Sequence, residues 1–497
     1  DLLATAFDEE GDTLSVDPTT ISDTGNTDGI TLDGNTLIVD PSHLAYADAG
    51  TTISYTYEIV DGFGGRTFAA ADIRIAGPAT EFTGSTGFFS DGANWDSSLA
   101  PVGSTDVALI PAGLSATSIS SPFIDTLELR GTLVVDDGGF DTFNLVLGPT
   151  ATLDIGAGLY FAAGNTVRLD SGSAITGTGE FRLNGGFNSN LDLPNGYTVT
   201  DAPWRLQGGL NIVGGSFAIG STGVVKHDND FVVVNTVDFS NAGTLSIGGG
   251  DFAFPHLHLH SGLFNTGTVT LDSFALEEGY GATLDVFGGE LVNQGIIESK
   301  DTAGLGAFSG DRLILGNVLN EGQINVDYDL TIDTTGGALV NSATGVINVA
   351  SLQTLTVLDT GDFGIGEFFN EGTIDLNATN TTDGEQTILD VSGIEFFNAG
   401  VIQGFGTIIG TVIDDGGTIN LGASPGYLEI DGDYSTSEKS TLAIEIAGDQ
   451  AGVSYDQLVV SGRADLNGRL NVSLLNGFMP VSSAGFVILM AGTLEGS

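Results

Sequence analysis

The segments FSNAGTLSI (239–247), LFNTGTVTL (263–271), LVNQGIIES (291–299), VLNEGQINV (318–326), LVNSATGVINV (339–349), FFNEGTIDL (368–376) and FFNAGVIQG (396–404) are variations on one phrase. Their shared asparagines, Asn241, Asn265, Asn293, Asn320, Asn341, Asn370 and Asn398, follow one another at 24, 28, 27, 21, 29 and 28 residues, a mean of about 26. A period between roughly 20 and 50 residues marks stacked structural units. Each unit has an apolar lead-in, then Asn with a Gly shortly after, then an alternating strand, and none contains a helix-period stretch. Helical repeats and leucine-rich horseshoes are thereby excluded, and a propeller blade needs four strands and about 40 residues. A coil of two or three short strands joined by turns does fit about 26 residues. Stacked coils make a parallel β-helix, right-handed by the rule for parallel crossovers.

Within that geometry the asparagine occupies the same corner of every coil. Its side chain can bond its own turn, and equivalent amides about 4.8 Å apart can bond to one another in a ladder. The glycine is expected to supply a positive φ, and the Phe or Leu just before Asn is expected to point inward and stack on its counterparts. The uneven spacing places insertions in the other corners.

Composition agrees with an all-β chain. The 497 residues include 75 Gly and no Cys, and 41% are hydrophobic, with 29 Phe. That is apolar surface enough to exclude wholesale disorder, and stability has to come without disulfides. Twelve Lys and Arg stand against 64 Asp and Glu, a formal charge of −52, which excludes a nucleic-acid partner. Charged residues are only 15% of the chain, below the roughly 25% of ordinary soluble domains, so the imbalance comes from missing cations. No apolar run reaches the roughly 18 residues of a membrane-spanning helix. The opening Asp1 and the closing FVILMAGTLEGS suggest a processed piece of a longer chain.

Three stretches separate: 1–78, 79–424 with the repeat, and 425–497. In the first, ATAFDEEGDTLSV and YTYEIVDGFGGRTFAAADIRIAG resemble the cadherin-like and VCBS-type modules of large bacterial secreted adhesins. That resemblance implies an immunoglobulin-like β-sandwich with Ca²⁺ held at Asp8, Glu10, Asp12 and Asp61. Three carboxylates within five residues repel one another, and a hard cation relieves this; the other reading is a solvated acidic hairpin. The family's opening strand is missing, so it lies upstream or comes from a neighbouring copy, which would make this end an assembly joint. Further on, FFSDGANWDSSLAPVGSTDVALIP resembles the segment opening many β-helical exoproteins, with Trp95 expected to cap the first coil rather than to stack a sugar. The run SPGYLEIDGDY, then YDQLVVSGRADLNGRLNVSLLNGFMP, is similar to the end of autotransporter passenger regions. It implies a compact C-terminal β cap with Tyr455, Leu458, Val460, Leu470, Val472 and Leu474 in its core.

Chemistry is sparse. Polysaccharide lyases need Lys or Arg beside a uronate, and only Lys226, Lys300, Lys439 and nine Arg occur, none together in the repeats. Asp136-Asp137 and Asp414-Asp415 are adjacent pairs that would face opposite ways in a strand, so they read as turn residues. In PHLHLH, His256, His258 and His260 share one strand face and could ligate Zn²⁺ or Cu²⁺, or simply decorate an outward face. The expectation is a non-enzymatic extracellular stalk or adhesive segment of about 13 coils and roughly 60 Å, stabilised by Ca²⁺. Its partners would be copies of itself or surface and matrix polysaccharide. A β-helix carbohydrate-active enzyme and a surface-layer or fibre subunit joined by strand complementation are the alternatives.

Overall fold

A computed structural model describes residues 13–23, 30–39, 52–74, 79–185, 189–249, 254–273, 281–302, 304, 310–361, 366–377, 387–422 and 426–496. Apart from a 3-10 turn at Gly92–Asn94, the described secondary structure is strand. The chain divides into two compact units, 1–217 with 232–237, and 218–231 with 238–497.

In the first unit, Ser15–Asp23, Thr52–Val60 and Arg66–Arg74 form an antiparallel sheet, and Ile30–Asp33 pairs with Thr36–Val39 as a hairpin. Period-two alternation puts Tyr55, Tyr57 and Ile59 on the buried side. From residue 79 the pairing turns parallel. Strands Ala79–Glu81, Val107–Ile110, Phe123–Leu129, Gly139–Leu147 and Tyr160–Leu169 build one ladder. A second contains Thr86–Phe88, Ser115–Ser118, Thr132–Val135, Thr152–Ile155 and Ala174–Gly177. Thr132 lies beside Thr152, and Thr152 beside Ala174, so one circuit takes about 20 residues.

Inward positions alternate with outward ones: Leu133, Val135, Leu153 and Ile155 are fully buried. A column of aromatic rings fills the same interior. Trp95 sits between Phe82 and Phe89, with centroids 5.2 and 5.0 Å away, and its indole N–H donates to the Phe89 carbonyl at 2.8 Å. Phe89 meets Phe140, which stacks on Phe161 at 5.0 Å, followed by Phe181, Trp204 and Phe217. Only 2% of Trp95 is exposed, which leaves no face on which a sugar could stack.

The second unit contains three parallel ladders, so each coil contributes three strands. One carries the repeat asparagines, from Phe239–Asn241 through Leu263–Asn265 to Glu395–Asn398 and beyond to Val412–Asp414 and Tyr434–Thr436. The next holds the strands that follow each corner, Thr244–Gly249 through Arg469–Leu474. The third starts at His256–Leu259 and reaches Leu489–Gly496.

All three ladders therefore run past residue 424, and the stretch expected to form a separate cap continues the coils. Tyr455, Leu458 and Val460 are buried there, but Leu470, Val472 and Leu474 are 54%, 47% and 53% exposed. Arg469–Leu474 pairs with Thr441–Ile446 on one side, and among the described residues no further coil covers the other. No helix among the described residues is long and apolar enough to cross a membrane.

One buried carboxylate marks this end. Asp456 is fully buried and accepts the Gly426 and Glu445 N–H groups, both at 2.6 Å. Burial pushes its carboxyl up to about 6, against the pull of those two bonds. Between the unfolded value near 3.8 and about 6, the folded chain holds more protons than the unfolded one, so this group's contribution to stability falls as pH rises through that window. Asp456→Asn is expected to remove that slope, on the order of 3 kcal/mol. Urea midpoints of both proteins at pH 4 and pH 7 check it, and an unchanged pH difference in the variant would refute the assignment.

Candidate functional site

The strand before each corner reads apolar, outward, Asn. Because side chains alternate, the asparagine itself points inward: Asn241, Asn265, Asn293, Asn320, Asn341, Asn370 and Asn398 are all at most 1% exposed. The amide Nδ2 of each donates to Oδ1 of the next, at 2.8, 2.7, 2.7, 2.7, 2.8 and 2.7 Å. The same Nδ2 also reaches a backbone carbonyl of the following coil, from Thr268 at 3.0 Å to Val401 at 3.3 Å. These bonds run toward the later coil, and Asn265 Nδ2 also reaches its own corner carbonyl, Gly267, at 3.3 Å. At the first rung the Asn241 Oδ1 turns back to accept the Gly243 N–H.

Two details differ from expectation. The residue two before Asn points inward, as Phe368 and Phe396 do, stacked 4.7 Å apart. The residue just before it faces out, as Phe264 does at 45% exposure. An inward Asn forces its immediate neighbour outward. The corner glycines are also not in the left-handed region. Gly267, Gly295, Gly322, Gly372 and Gly400 are required because a Cβ on each would lie 2.1 to 2.2 Å from the carbonyl oxygen of the glycine one coil earlier. The coils approach too closely there for any side chain.

After Asn398 the in-register residue is Asp414, 1% exposed. Burial pushes its carboxyl up, opposed by hydrogen bonds from the Gly417 N–H at 2.8 Å and the Tyr434 hydroxyl at 3.3 Å. The Asn398 Nδ2, the last of the run, makes no hydrogen bond among the described residues, so the ladder stops one layer short of Asp414. Asp414 follows Asn398 by 16 residues, well short of the 21 to 29 of the repeat, so the spacing did not reveal it.

The histidine run lies on the third ladder. Leu257 and Leu259 are buried in the core, which turns His256 and His258 to the outer face. On the next coil Asp285 stands in register with His258. Its Oδ2 is 2.6 Å from His258 Nδ1 and 3.3 Å from His256 Nε2. Burial pushes the Asp285 carboxyl up, but the hydrogen bonds and charges of His256 and His258 outweigh it and bring it down to about 2. Phe231 packs edge-on against His256 at 4.6 Å, and Phe287 lies 5.6 Å from His258. His260 is beside His258, centroids 4.7 Å apart, but outside the group whose ligand atoms lie within 4.8 Å of one another: His256, His258 and Asp285. Burial, then the His258 charge, lowers the His260 pKa. Asp285 was hidden by its distance in sequence, although the offset of 27 from His258 falls within the ladder's own spacings.

Asp8, Glu10 and Asp12 lie outside the described residues. Asp61 closes its own turn: Oδ1 accepts the N–H groups of Phe63, Gly64 and Gly65, and Oδ2 accepts that of Gly65. Those bonds, first that from Phe63, hold its carboxyl below the usual range. A calcium ion at Asp61 would compete with that turn.

A second polar cluster lies on the first unit. Arg182 stands in register with Arg205, its guanidinium 4.3 Å over the Tyr160 ring and its Nε 2.6 Å from Glu180. The Tyr160 hydroxyl donates to Asp141 at 3.1 Å. Burial, then the Asp141 charge, raises the Tyr160 pKa, which keeps the phenol protonated.

No protein-family model matches the chain. It is similar to an uncharacterized protein of Escherichia coli (strain K12), YuaQ, at 27% identity over 173 residues, covering 34% of this chain and 12% of that protein.

Replacing Asn320 by Leu is expected to cost roughly 2–4 kcal/mol, because a donor on Asn293 and the acceptor on Asn341 lose their buried partner. Gly295→Ala is expected to cost about 1–3 kcal/mol through overpacking against Gly267. Urea denaturation of the full chain checks both, and midpoints equal to that of the parent would deny the ladder its role.

Proposed function

We propose that the chain is a non-catalytic, extracellular structural or adhesive segment whose coiled part acts as a stiff spacer. The observation that carries this reading is the unbroken run of six buried Asn-to-Asn hydrogen bonds. They are added to three backbone ladders and satisfy the inward amides from Asn241 to Asn370 along that edge. A stack bonded at every layer resists bending and slipping, which suits holding end modules apart. The resemblance to secreted adhesins and passenger regions supports a place at a bacterial surface or matrix. The −52 charge suits a surface coat that repels its neighbours in low-cation medium and is bridged by divalent ions. In this reading Ca²⁺ steadies the N-terminal module, and the partners are other copies or surface polysaccharide.

The Asp141, Tyr160, Glu180, Arg182 and Arg205 cluster favours a second reading, a carbohydrate-active enzyme, because carboxylates and guanidinium groups converge there. Against it, Glu180 is already paired to Arg182.

Incubating the chain with pectate, alginate and neutral glycans is expected to release no new reducing ends or unsaturated products; turnover abolished by Arg182→Ala would establish the enzyme instead. Antibody labelling of intact source cells is expected to find the chain outside, and labelling only after permeabilisation would contradict the surface reading. Calcium is checked by melting with and without a calcium-selective chelator. Saturation at about 100 times Kd stabilises by about 2.7 kcal/mol, so a lower melting point in chelator is expected, and equal values would remove calcium from the proposal.

A further inference from the structure

We propose that His256, His258 and Asp285 form a binding site for one divalent transition-metal ion of the zinc class, joining two successive coils on the outer face of the second unit. The donors are two imidazole nitrogens and one carboxylate, all within 4.8 Å of one another. Zinc held at about 2.0–2.2 Å from such atoms in a tetrahedron sets them roughly 3.3–3.5 Å apart. The His256 Nε2 to Asp285 Oδ2 distance of 3.3 Å already meets this. The His258 Nδ1 to Oδ2 distance of 2.6 Å is that of a hydrogen bond, so the ion takes the place of the shared proton and the pair opens by less than about 1 Å.

The backbone supports the ligands. His256 pairs with Thr283 and His258 with Asp285 in one parallel ladder, and Leu257, Leu259, Leu284 and Val286 anchor both strands with at most 1% exposure. Phe231 and Phe287 flank the imidazoles and limit their rotation. The His256 side chain is 31% exposed, so an ion can enter from solvent. Two nitrogens and one oxygen suit Zn²⁺, Cu²⁺ or Ni²⁺; Ca²⁺ and Mg²⁺ require more oxygens than the site offers. The fourth position is left to water, as in open zinc sites.

The test is calorimetric titration of the full chain with Zn²⁺, with millimolar Ca²⁺ present to occupy the acidic surface. One saturable ion per chain is expected. Affinity should fall at least about tenfold in Asp285→Asn and in the double variant His256→Ala/His258→Ala, and change less than about threefold in His260→Ala. Circular dichroism without zinc confirms that each variant is folded. If the double variant melts early, Asp285→Asn, which keeps the side-chain size, decides alone. Co²⁺ in place of Zn²⁺ should give tetrahedral visible bands in the parent that Asp285→Asn lacks. Absence of saturable uptake, or uptake equal in parent and Asp285→Asn, would overturn the site.

Discussion

The structure of the second unit depends on satisfying a buried amide one layer at a time. An asparagine inside an apolar coil is costly unless both its donor and acceptor are met. The five from Asn265 to Asn370 each meet the amide above and the amide below, at 2.7–2.8 Å. Such satisfaction requires equal height and equal direction in successive coils, so the amides fix the register of the strands that carry them. A one-residue slip would turn every Asn outward and bring its neighbour in. The corner glycines follow from the same closeness, since layers bonded through side chains and backbone together leave no room for a Cβ.

This explains what was legible in advance. The spacing of seven asparagines identifies stacked parallel strands without any coordinates, because the chain has to return to the same corner. The facing of individual residues was read less well: the apolar residue adjacent to Asn was assigned inward, when the alternation around an inward Asn assigns it outward, as Phe264 shows. Glycine was credited with an unusual φ because that is its commonest task, whereas here it is chosen for proximity to the previous layer. Such proximity exists only between coils and leaves no mark within one phrase. Asp285 was hidden, and Asp414, buried at the end of Val412–Asp414, was read as a turn residue, for the same reason, since each acquires its meaning from a residue one circuit earlier. Leu470, Val472 and Leu474 were expected in a core and are exposed, because apolar alternation in Arg469–Leu474 looks the same whether or not another layer covers it.

The scarce cations are placed by the same periodicity. Glu128 and Arg130, Arg168 and Asp170, Glu180 and Arg182, Glu298 and Lys300, and Arg463 and Asp465 are each two residues apart, within a strand or across its end, and each is an ion pair. Exposed pairs of this kind contribute little to stability. Their effect is to neutralise local charge, which leaves most of the acids uncompensated at the surface. An outer face of that character would draw divalent cations from solution, and the imidazole cluster differs from its surroundings in offering nitrogen.

The asparagine ladder also has a direction. The six amides from Asn241 to Asn370 donate toward the later coil, so their dipoles add, as peptide dipoles add along a helix. The acceptor end is at Asn241 and the donor end at Asn398, and the residue in register beyond that donor end is a carboxylate, Asp414. The stack is therefore electrically polar along its length, although its side chains there are neutral, and at Asp414 its field works against the burial that disfavours the charge.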